Sequence, residues 1–285
     1  MAKKKEKKVM EPQYYMSATN MRTYNYKVYY MKPLEKLLYF VIAFIAGAAV
    51  GYLFYGGIGK DEFGQPTTTT YALNVFFCLV VGLAAGFLYV PMRRKSIIEA
   101  RKKKIKTQFR DLLDALSTSI GAGENVPSAF KSAYSDLKVQ YDEGAYILKE
   151  LEVILSGLEN NIEIVALLQD FAKRSGSEDI ESFANVFQIC YQKGGNIRET
   201  IRATHNVLSD KMEIVEEIET TVTSGKMERN IMMVMPIGLI GIIKLMSPDL
   251  TANFVTPAGI AATTIAIVLF GASYIISRVM LDIKV

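Results

Sequence analysis

The sequence has few of the residues that carry chemistry in enzymes: it holds no tryptophan, two cysteines and one histidine among 285 residues. Cys78 and Cys190 have no CxxC partner and no spacing typical of metal ligands. They are therefore predicted to be free thiols in a reducing compartment. His205 falls on an apolar helical stripe with Leu208 and Met212, and no nucleophile motif lies nearby. This favours a core or edge histidine over a catalytic base.

Motifs for nucleotide, hydrolase and metal chemistry are also absent. The sequence contains no GxxxxGK[ST], GxSxG or HExxH motif and no EF-hand loop. The carboxylates of Glu213–Glu219 are interpreted as a solvated helix face, with a buried carboxylate pair or a bound cation as the alternatives. We therefore expect no catalytic residues, no metal site and no cofactor, and we expect that the protein is not an enzyme.

Four runs of the chain are almost free of charge: Leu37–Tyr55, Tyr71–Pro91, Ile231–Met246 and Pro257–Ile276. A helix needs roughly 20 apolar residues to cross a bilayer core, and these runs contain 19, 21, 16 and 20 residues. The short third run includes Lys244, which can reach the membrane interface by snorkelling. We therefore predict four transmembrane helices. No Asp, Glu or His lies inside a run, which argues against a pump or an ion-coupled transporter.

Basic residues are concentrated beside the runs. Residues 1–36 carry nine Lys or Arg against three acids, and residues 93–110 carry nine against one. Because positive flanks stay on the cytoplasmic side, both segments and both termini are predicted to be cytoplasmic. Residues 111–229 carry 11 Lys or Arg and 21 acids. This acidic surface would repel phosphates, which favours membrane anchoring over nucleic-acid binding by the basic segment.

Helical periodicity dominates the polar region between the second and third runs. Glycines and asparagines interrupt it where helices should end and begin, at Gly121, Gly123 and Asn125 and again at Gly194, Gly195 and Asn196. The helix after Asn196 is expected to continue into the third run. The sequence thus predicts an all-α fold, a polytopic membrane protein with four transmembrane helices and a cytoplasmic bundle of about six helices.

Four segments follow from this organisation. Residues 1–36 form a basic, tyrosine-rich cytoplasmic leader, residues 37–92 the first transmembrane hairpin, residues 93–229 the cytoplasmic helical domain, and residues 230–285 the second hairpin with a short tail. The leader holds Tyr14, Tyr15, Tyr24, Tyr26, Tyr29 and Tyr30, to which the sequence assigns no role.

Glycines recur four residues apart in the first two runs, at Gly47 and Gly51 and at Gly82 and Gly86. Small residues at this spacing let helix backbones approach closely inside a membrane. The pattern predicts helix contact, either between these two spans or between copies of the chain. Pro236 can kink the third predicted span.

Three segments in order resemble the type II secretion system F domain: SIGAGENVPSAF (119–130), residues 151–201 with the GGN turn at 194–196, and the proline-containing MERNIMMVMPIGLIGIIKLMSPD (227–249). One copy of the domain with two spans on each side is similar to the tight-adherence TadB and TadC proteins. The resemblance covers residues 95–280, and the turns at Gly121–Asn125 and Gly194–Asn196 and Pro236 carry it.

The resemblance implies an inner-membrane platform protein of a type IV pilus or a type II secretion-like machine. Such a platform couples a cytoplasmic secretion ATPase to extraction of pilins from the bacterial plasma membrane. The implied partners are the ATPase, pilins, and a paralogous platform subunit or a second copy. Arg101, Lys102, Lys103 and Lys104 are candidate partner contacts. The alternative is a component of a small-substrate transporter or channel.

Overall fold

A computed structural model of the chain describes residues 11–17, 19–59, 65–246 and 253–281. The described residues are helical except for one two-stranded antiparallel sheet. The elements are β1 (Tyr14–Met16), β2 (Arg22–Tyr24), α1 (Pro33–Tyr55), α2 (Thr68–Gly121), α3 (Val126–Gln140), α4 (Tyr146–Glu159), α5 (Ile164–Ser175), α6 (Glu178–Lys193), α7 (Ile197–Met246) and α8 (Pro257–Leu281). The all-helical prediction is confirmed for these eight helices. The leader hairpin, in which Tyr15 pairs with Thr23, was not predicted.

Within the residues that the structure describes, three helices are long and apolar enough to cross a membrane: Pro33–Tyr55, the apolar part of Thr68–Gly121, and Pro257–Ser277. Their apolar side chains are mostly exposed, as at Leu38, Phe87 and Leu269. A water-soluble surface rarely carries so much contiguous apolar area. The three helices are therefore compatible with a multi-pass membrane protein.

The third predicted span, Ile231–Met246, is helical as the last part of α7. It is not among the three candidate spans found in the described residues. Its run has 16 residues and includes Lys244. Lys244 donates a hydrogen bond to the Gly56 carbonyl (3.3 Å), directly after α1. A fourth span stays a prediction.

The chain divides into two compact units. The first, here called the polar unit, contains Met1–Tyr30 and Arg94–Glu213. The second, called the apolar unit, contains Met31–Arg93 and Ile214–Val285. Helices α2 and α7 contribute residues to both units without a break in the helix.

A single hydrophobic core holds the polar unit together. Its helices are amphipathic, and consecutive helices from α3 to α6 pack on one another. Phe109 of α2 lies at the centre, with its ring 5.3 Å from that of Phe183 and 6.1 Å from that of Phe171. Other fully buried members include Leu113, Phe130, Ile147, Leu151, Phe187 and Ile201. This core fixes the ends of the helices, and the candidate site described below is built at those ends.

In the apolar unit, α1 and α2 pack through the glycines that the sequence singles out. A Cβ at Gly47 would come 2.7 Å from Cβ of Ala85, and a Cβ at Gly86 would come 2.6 Å from the Phe40 ring. Gly51 and Gly82 face the same interface, against Phe77 and Phe44. The glycines thus serve contact between the two helices of one chain.

Candidate functional site

The first of the two glycine–asparagine turns joins α2 to α3. Helix α2 ends at Gly121, and Gly123 adopts a left-handed backbone (φ +94°) that a residue with a Cβ rarely takes. Asn125 then caps α3, because its side chain accepts a hydrogen bond from the Ser128 backbone N–H at 2.9 Å. The glycines reverse the chain, and the asparagine begins the next helix.

The second turn, between α6 and α7, has the same construction. Gly194 follows α6 in a left-handed conformation (φ +72°), and the Gly195 N–H donates to the Cys190 carbonyl at 2.7 Å. A Cβ on Gly195 would come 3.2 Å from the Cys190 Cα, so little space remains for a larger residue. Asn196 accepts a hydrogen bond from the Glu199 N–H at 3.2 Å and so caps α7.

The fold brings these two turns together, although more than 60 residues separate them in the sequence. Arg198 in the first turn of α7 donates from Nη2 to the Ile120 carbonyl at 2.9 Å. Gly123, Asn125 and Asn196 line an open groove between the turns, together with Tyr191 and Arg198. We call this the turn groove. Its polar lining consists of the Glu124 carboxylate, the Asn125 and Asn196 amides and the Arg198 guanidinium, beside the Tyr191 ring.

Residues of the basic segment Arg101–Lys104 lie close to the leader and to other residues of the polar unit. The Arg101 guanidinium lies 4.3 Å from the centre of the Tyr29 ring. A Cβ at Gly176 would come 3.2 Å from Cε of Lys102, and Nζ of Lys104 lies 5.9 Å from the centre of the Tyr146 ring. Lys103 is exposed, and its carbonyl accepts a hydrogen bond from Thr107. Part of the segment proposed for partner contact therefore has aromatic neighbours within the polar unit.

A buried ion pair secures the leader. Nη2 of Arg174 lies 2.7 Å from Oε2 of Glu150, and Nη1 lies 2.9 Å from Oε1, so the pair is bidentate. The two residues are only 3% and 2% exposed. Tyr26, itself 1% exposed, donates its hydroxyl proton to Oε1 of Glu150 at 2.8 Å. Burial, followed by the charge of Glu150, raises the pKa of Tyr26 well above its ordinary value, so the hydroxyl stays protonated and remains a donor.

Further bonds complete this buried network. Nε of Arg174 donates to Asp170 at 2.7 Å, and Nη1 donates to the Tyr24 carbonyl at 3.1 Å. The Tyr26 N–H donates in turn to the Arg174 carbonyl at 2.9 Å. Burial alone would lower the pKa of Arg174, but hydrogen bonds and charges from Glu150 and Asp170 raise it, so the guanidinium stays charged. Such full pairing is what makes a buried ion pair tolerable.

A second charged cluster links three helices of the polar unit. Asp179 of α6 accepts from Lys106 of α2 at 2.8 Å and from Lys211 of α7 at 2.9 Å. Burial opposes ionisation of Asp179, but hydrogen bonds from the two lysines outweigh it and lower its pKa. The carboxylate is therefore charged at neutral pH and neutralised by both lysines.

The structure also describes the other residues that the sequence singles out. Pro236 lies inside α7, which continues past it to Met246. His205 is partly exposed, with Nε2 3.4 Å from the Ser209 hydroxyl and 3.9 Å from Asp114. Cys78 and Cys190 are free thiols. Among the described residues, no group of three or more His, Cys, Asp or Glu is arranged to hold a metal ion.

The residues that sequence reasoning missed are those of the buried network: Tyr26, Glu150, Asp170 and Arg174. A cluster of six tyrosines in the leader was the available signal. It gave no partner, because Glu150 lies 124 residues after Tyr26 in the chain. The acidic and basic partners in α4 and α5 have the composition of ordinary solvated helix faces.

In comparisons with known proteins, no family model, no curated protein and no solved structure matches the chain.

Proposed function

We propose that this chain is a non-enzymatic platform protein of a membrane-embedded assembly machine, of the kind that builds type IV tight-adherence pili. In this proposal a cytoplasmic secretion ATPase binds the polar unit, and the platform passes the motion of the ATPase to pilins in the bacterial plasma membrane. The resemblance of the two turns and of the proline-containing run to the type II secretion F domain supports it.

The observation that carries the proposal is the continuity of α7. The helix begins after the Asn196 cap in the polar unit and runs 50 residues to Met246, well inside the apolar unit. Because the helix continues without interruption from one unit into the other, a displacement of its first turns would be passed along it in this proposal. A platform needs such an element, because the sequence contains no nucleotide-binding motif of its own.

The turn groove and the basic segment are the two surfaces proposed for partners. Arg198 at the turn groove and Lys103 in the basic segment are cationic, whereas residues 111–229 are acidic overall. A partner with patches of both signs would complement this distribution. Binding of the cognate ATPase to full-length protein in detergent, with ATP turnover followed in parallel, tests this part of the proposal. Absence of any complex would remove the main support for an ATPase-driven platform.

The coupling itself is tested by a flexible insertion in α7. Four glycines placed between Ser224 and Gly225 interrupt the helix, and we expect assembly of the fibre to be lost while membrane insertion and abundance are unchanged. The same insertion between Glu143 and Gly144, in the exposed connection from α3 to α4, is the matched control and should leave assembly intact. Normal piliation with the α7 insertion would contradict mechanical coupling through this helix.

A further inference from the structure

Two adjoining cavities lie within the apolar unit, one polar and one apolar. The polar cavity is lined by Glu228 and Arg229 of α7 and by Ser273, Tyr274 and Ser277 of α8. The apolar cavity is lined by residues of α1, α2, α7 and α8, including Phe54, Val81, Pro236, Ile240, Phe270 and Gly271. Met233 belongs to both linings, so the two cavities adjoin. We call them the head pocket and the tail groove.

The head pocket brings together charges of both signs and neutral hydroxyls. Nε of Arg229 is buried and has no hydrogen-bond partner in the described part of the chain, while Nη2 of the same group makes one 3.3 Å bond to Asn230. The guanidinium lies 5.5 Å from the centre of the Tyr274 ring. A buried N–H without an acceptor is costly, and a phosphate oxygen is an acceptor that guanidinium groups prefer.

The tail groove has the dimensions and lining of an acyl-chain site. It encloses about 440 Å³, within the roughly 300–1,000 Å³ typical of small-molecule sites. Along α7, Arg229 and Ile240 are 11 residues apart, or about 16 Å of helix. One leaflet of a bilayer core is about 15 Å thick, half of roughly 30 Å. The pocket and groove together therefore match one lipid, with the headgroup at the interface and one acyl chain in the leaflet.

We propose that the apolar unit binds a phospholipid whose headgroup carries both a phosphate and a primary ammonium, such as phosphatidylethanolamine. Arg229 binds the phosphate, with Ser273, Ser277 and Tyr274 as neutral donors. The Glu228 carboxylate accepts a hydrogen bond from the ammonium. A choline headgroup has the same phosphate but no N–H to donate, and an anionic headgroup places a second acceptor or a neutral hydroxyl near Glu228. Arg229 and Glu228 thus complement the phosphate and the ammonium of the lipid headgroup.

Native mass spectrometry of the full-length protein in detergent tests the headgroup assignment. Delipidated protein is titrated with phosphatidylethanolamine, phosphatidylcholine or phosphatidylglycerol of identical acyl chains. We expect at least about tenfold tighter retention of phosphatidylethanolamine than of phosphatidylcholine, since one charge-assisted hydrogen bond distinguishes them. Glu228→Gln should reduce this ratio severalfold, whereas Glu217→Gln, an exposed carboxylate on the same helix, should leave it unchanged. Equal retention of the two lipids by the native protein would overturn the assignment.

The phosphate and acyl contacts are tested separately. Arg229→Gln should lower retention of every phospholipid about tenfold, while Lys226→Gln, which removes an equal charge outside the lining, should not; equal losses would indicate nonspecific charge attraction and sink the proposal. Gly271→Leu places a side chain in the tail groove, where a Cβ meets no atom within 4 Å. It should weaken retention, whereas Gly238→Leu, equally unobstructed on α7 but not among the lining residues, should not.

A last arm separates a lipid from its soluble headgroup. Phosphoethanolamine and inorganic phosphate, which carry no acyl chain, should neither bind measurably nor raise the thermal unfolding midpoint at millimolar concentration. Binding of either compound as tightly as the lipid would show a soluble-ligand site instead. Displacement of bound phosphatidylethanolamine by an apolar helical peptide, with Arg229→Gln having no effect, would show that the groove belongs to a protein helix.

Discussion

At the scale of single residues, the stability of the polar unit depends on keeping the buried charges of Arg174 and Glu150 paired. Arg174 and Glu150 are almost completely buried, and removing water from both costs several kcal/mol per ion. Their bidentate contact is completed by the Tyr26 hydroxyl, the Tyr24 carbonyl and Asp170. Two of these three supports come from the leader, so the ion pair makes the leader part of the fold.

The hydrogen bond from the Tyr26 hydroxyl to Glu150 can be tested with a single substitution. Tyr26→Phe removes one hydrogen bond to a buried carboxylate and leaves the ring in place, so we expect the free energy of unfolding to fall by about 1–3 kcal/mol. Denaturant titration of the full-length protein in detergent measures it. Tyr15→Phe serves as the control, because Tyr15 lies in the leader hairpin and is more exposed than Tyr26. A similar small loss in both variants would show that the buried bond contributes little.

Asp179 gives the polar unit a defined pH dependence. Because its pKa in the folded state is lowered, its stabilisation is complete above the unfolded-state pKa of about 3.9 and is lost as pH falls through the folded pKa. Asp179→Asn should cost about 0.5–1 kcal/mol at neutral pH and should flatten the fall in stability below pH 4. Asp136→Asn, on the exposed face of α3, should keep the native profile. The unfolding free energy measured from pH 6 to pH 3 distinguishes them, and identical slopes in all three proteins would contradict this assignment.

At the scale of elements, the turns of the polar unit follow from local chemistry. Gly121, Gly123 and Gly194 end or reverse helices, and Asn125 and Asn196 begin them through side-chain caps. These effects act within four or five residues, so the local sequence is enough to predict such turns. The hairpin β1–β2 was not predicted, because its contacts are not local in the sequence. Its strands are three residues long and are held by side chains far away in the chain, such as Arg174, which donates to the Tyr24 carbonyl.

At Gly194, the effect of the left-handed backbone on stability can be measured separately from side-chain contacts. A Cβ at this position meets no atom within 4 Å, but φ is +72°, so Gly194→Ala should destabilise the protein by about 1–2 kcal/mol through the backbone alone. Gly121 has equally open surroundings and is not among the positive-φ glycines. Gly121→Ala should therefore be neutral or stabilise by up to about 1 kcal/mol. Thermal unfolding midpoints of the two variants should move in opposite directions or differ clearly, and equal shifts would contradict the role of φ.

At the scale of the whole molecule, composition predicted the division between apolar helices and a charged helical region, because lipid and water impose different side chains. It did not predict where the leader belongs. Residues 1–36 appear in the sequence as a separate basic segment, yet Met1–Tyr30 groups with Arg94–Glu213. The grouping depends on Tyr24 and Tyr26 meeting Tyr146, with ring centres 6.0 and 5.5 Å apart. Periodicity within a segment carries no information about such distant pairs.

The leader therefore has a consequence for any form of the protein that lacks it. Deleting residues 2–30 removes the buried Tyr26 ring and exposes Arg174 and Glu150, so we expect the polar unit to lose about 3–5 kcal/mol. Limited proteolysis should then cut α4 and α5 at protease concentrations that spare the native chain. A synthetic peptide of residues 11–30 should restore protection, and the same peptide with Tyr26→Ala should not, because the buried hydroxyl and ring carry the contact. Native-like resistance of the truncated chain without peptide would mean that the ion pair is stable alone and that the leader only covers it.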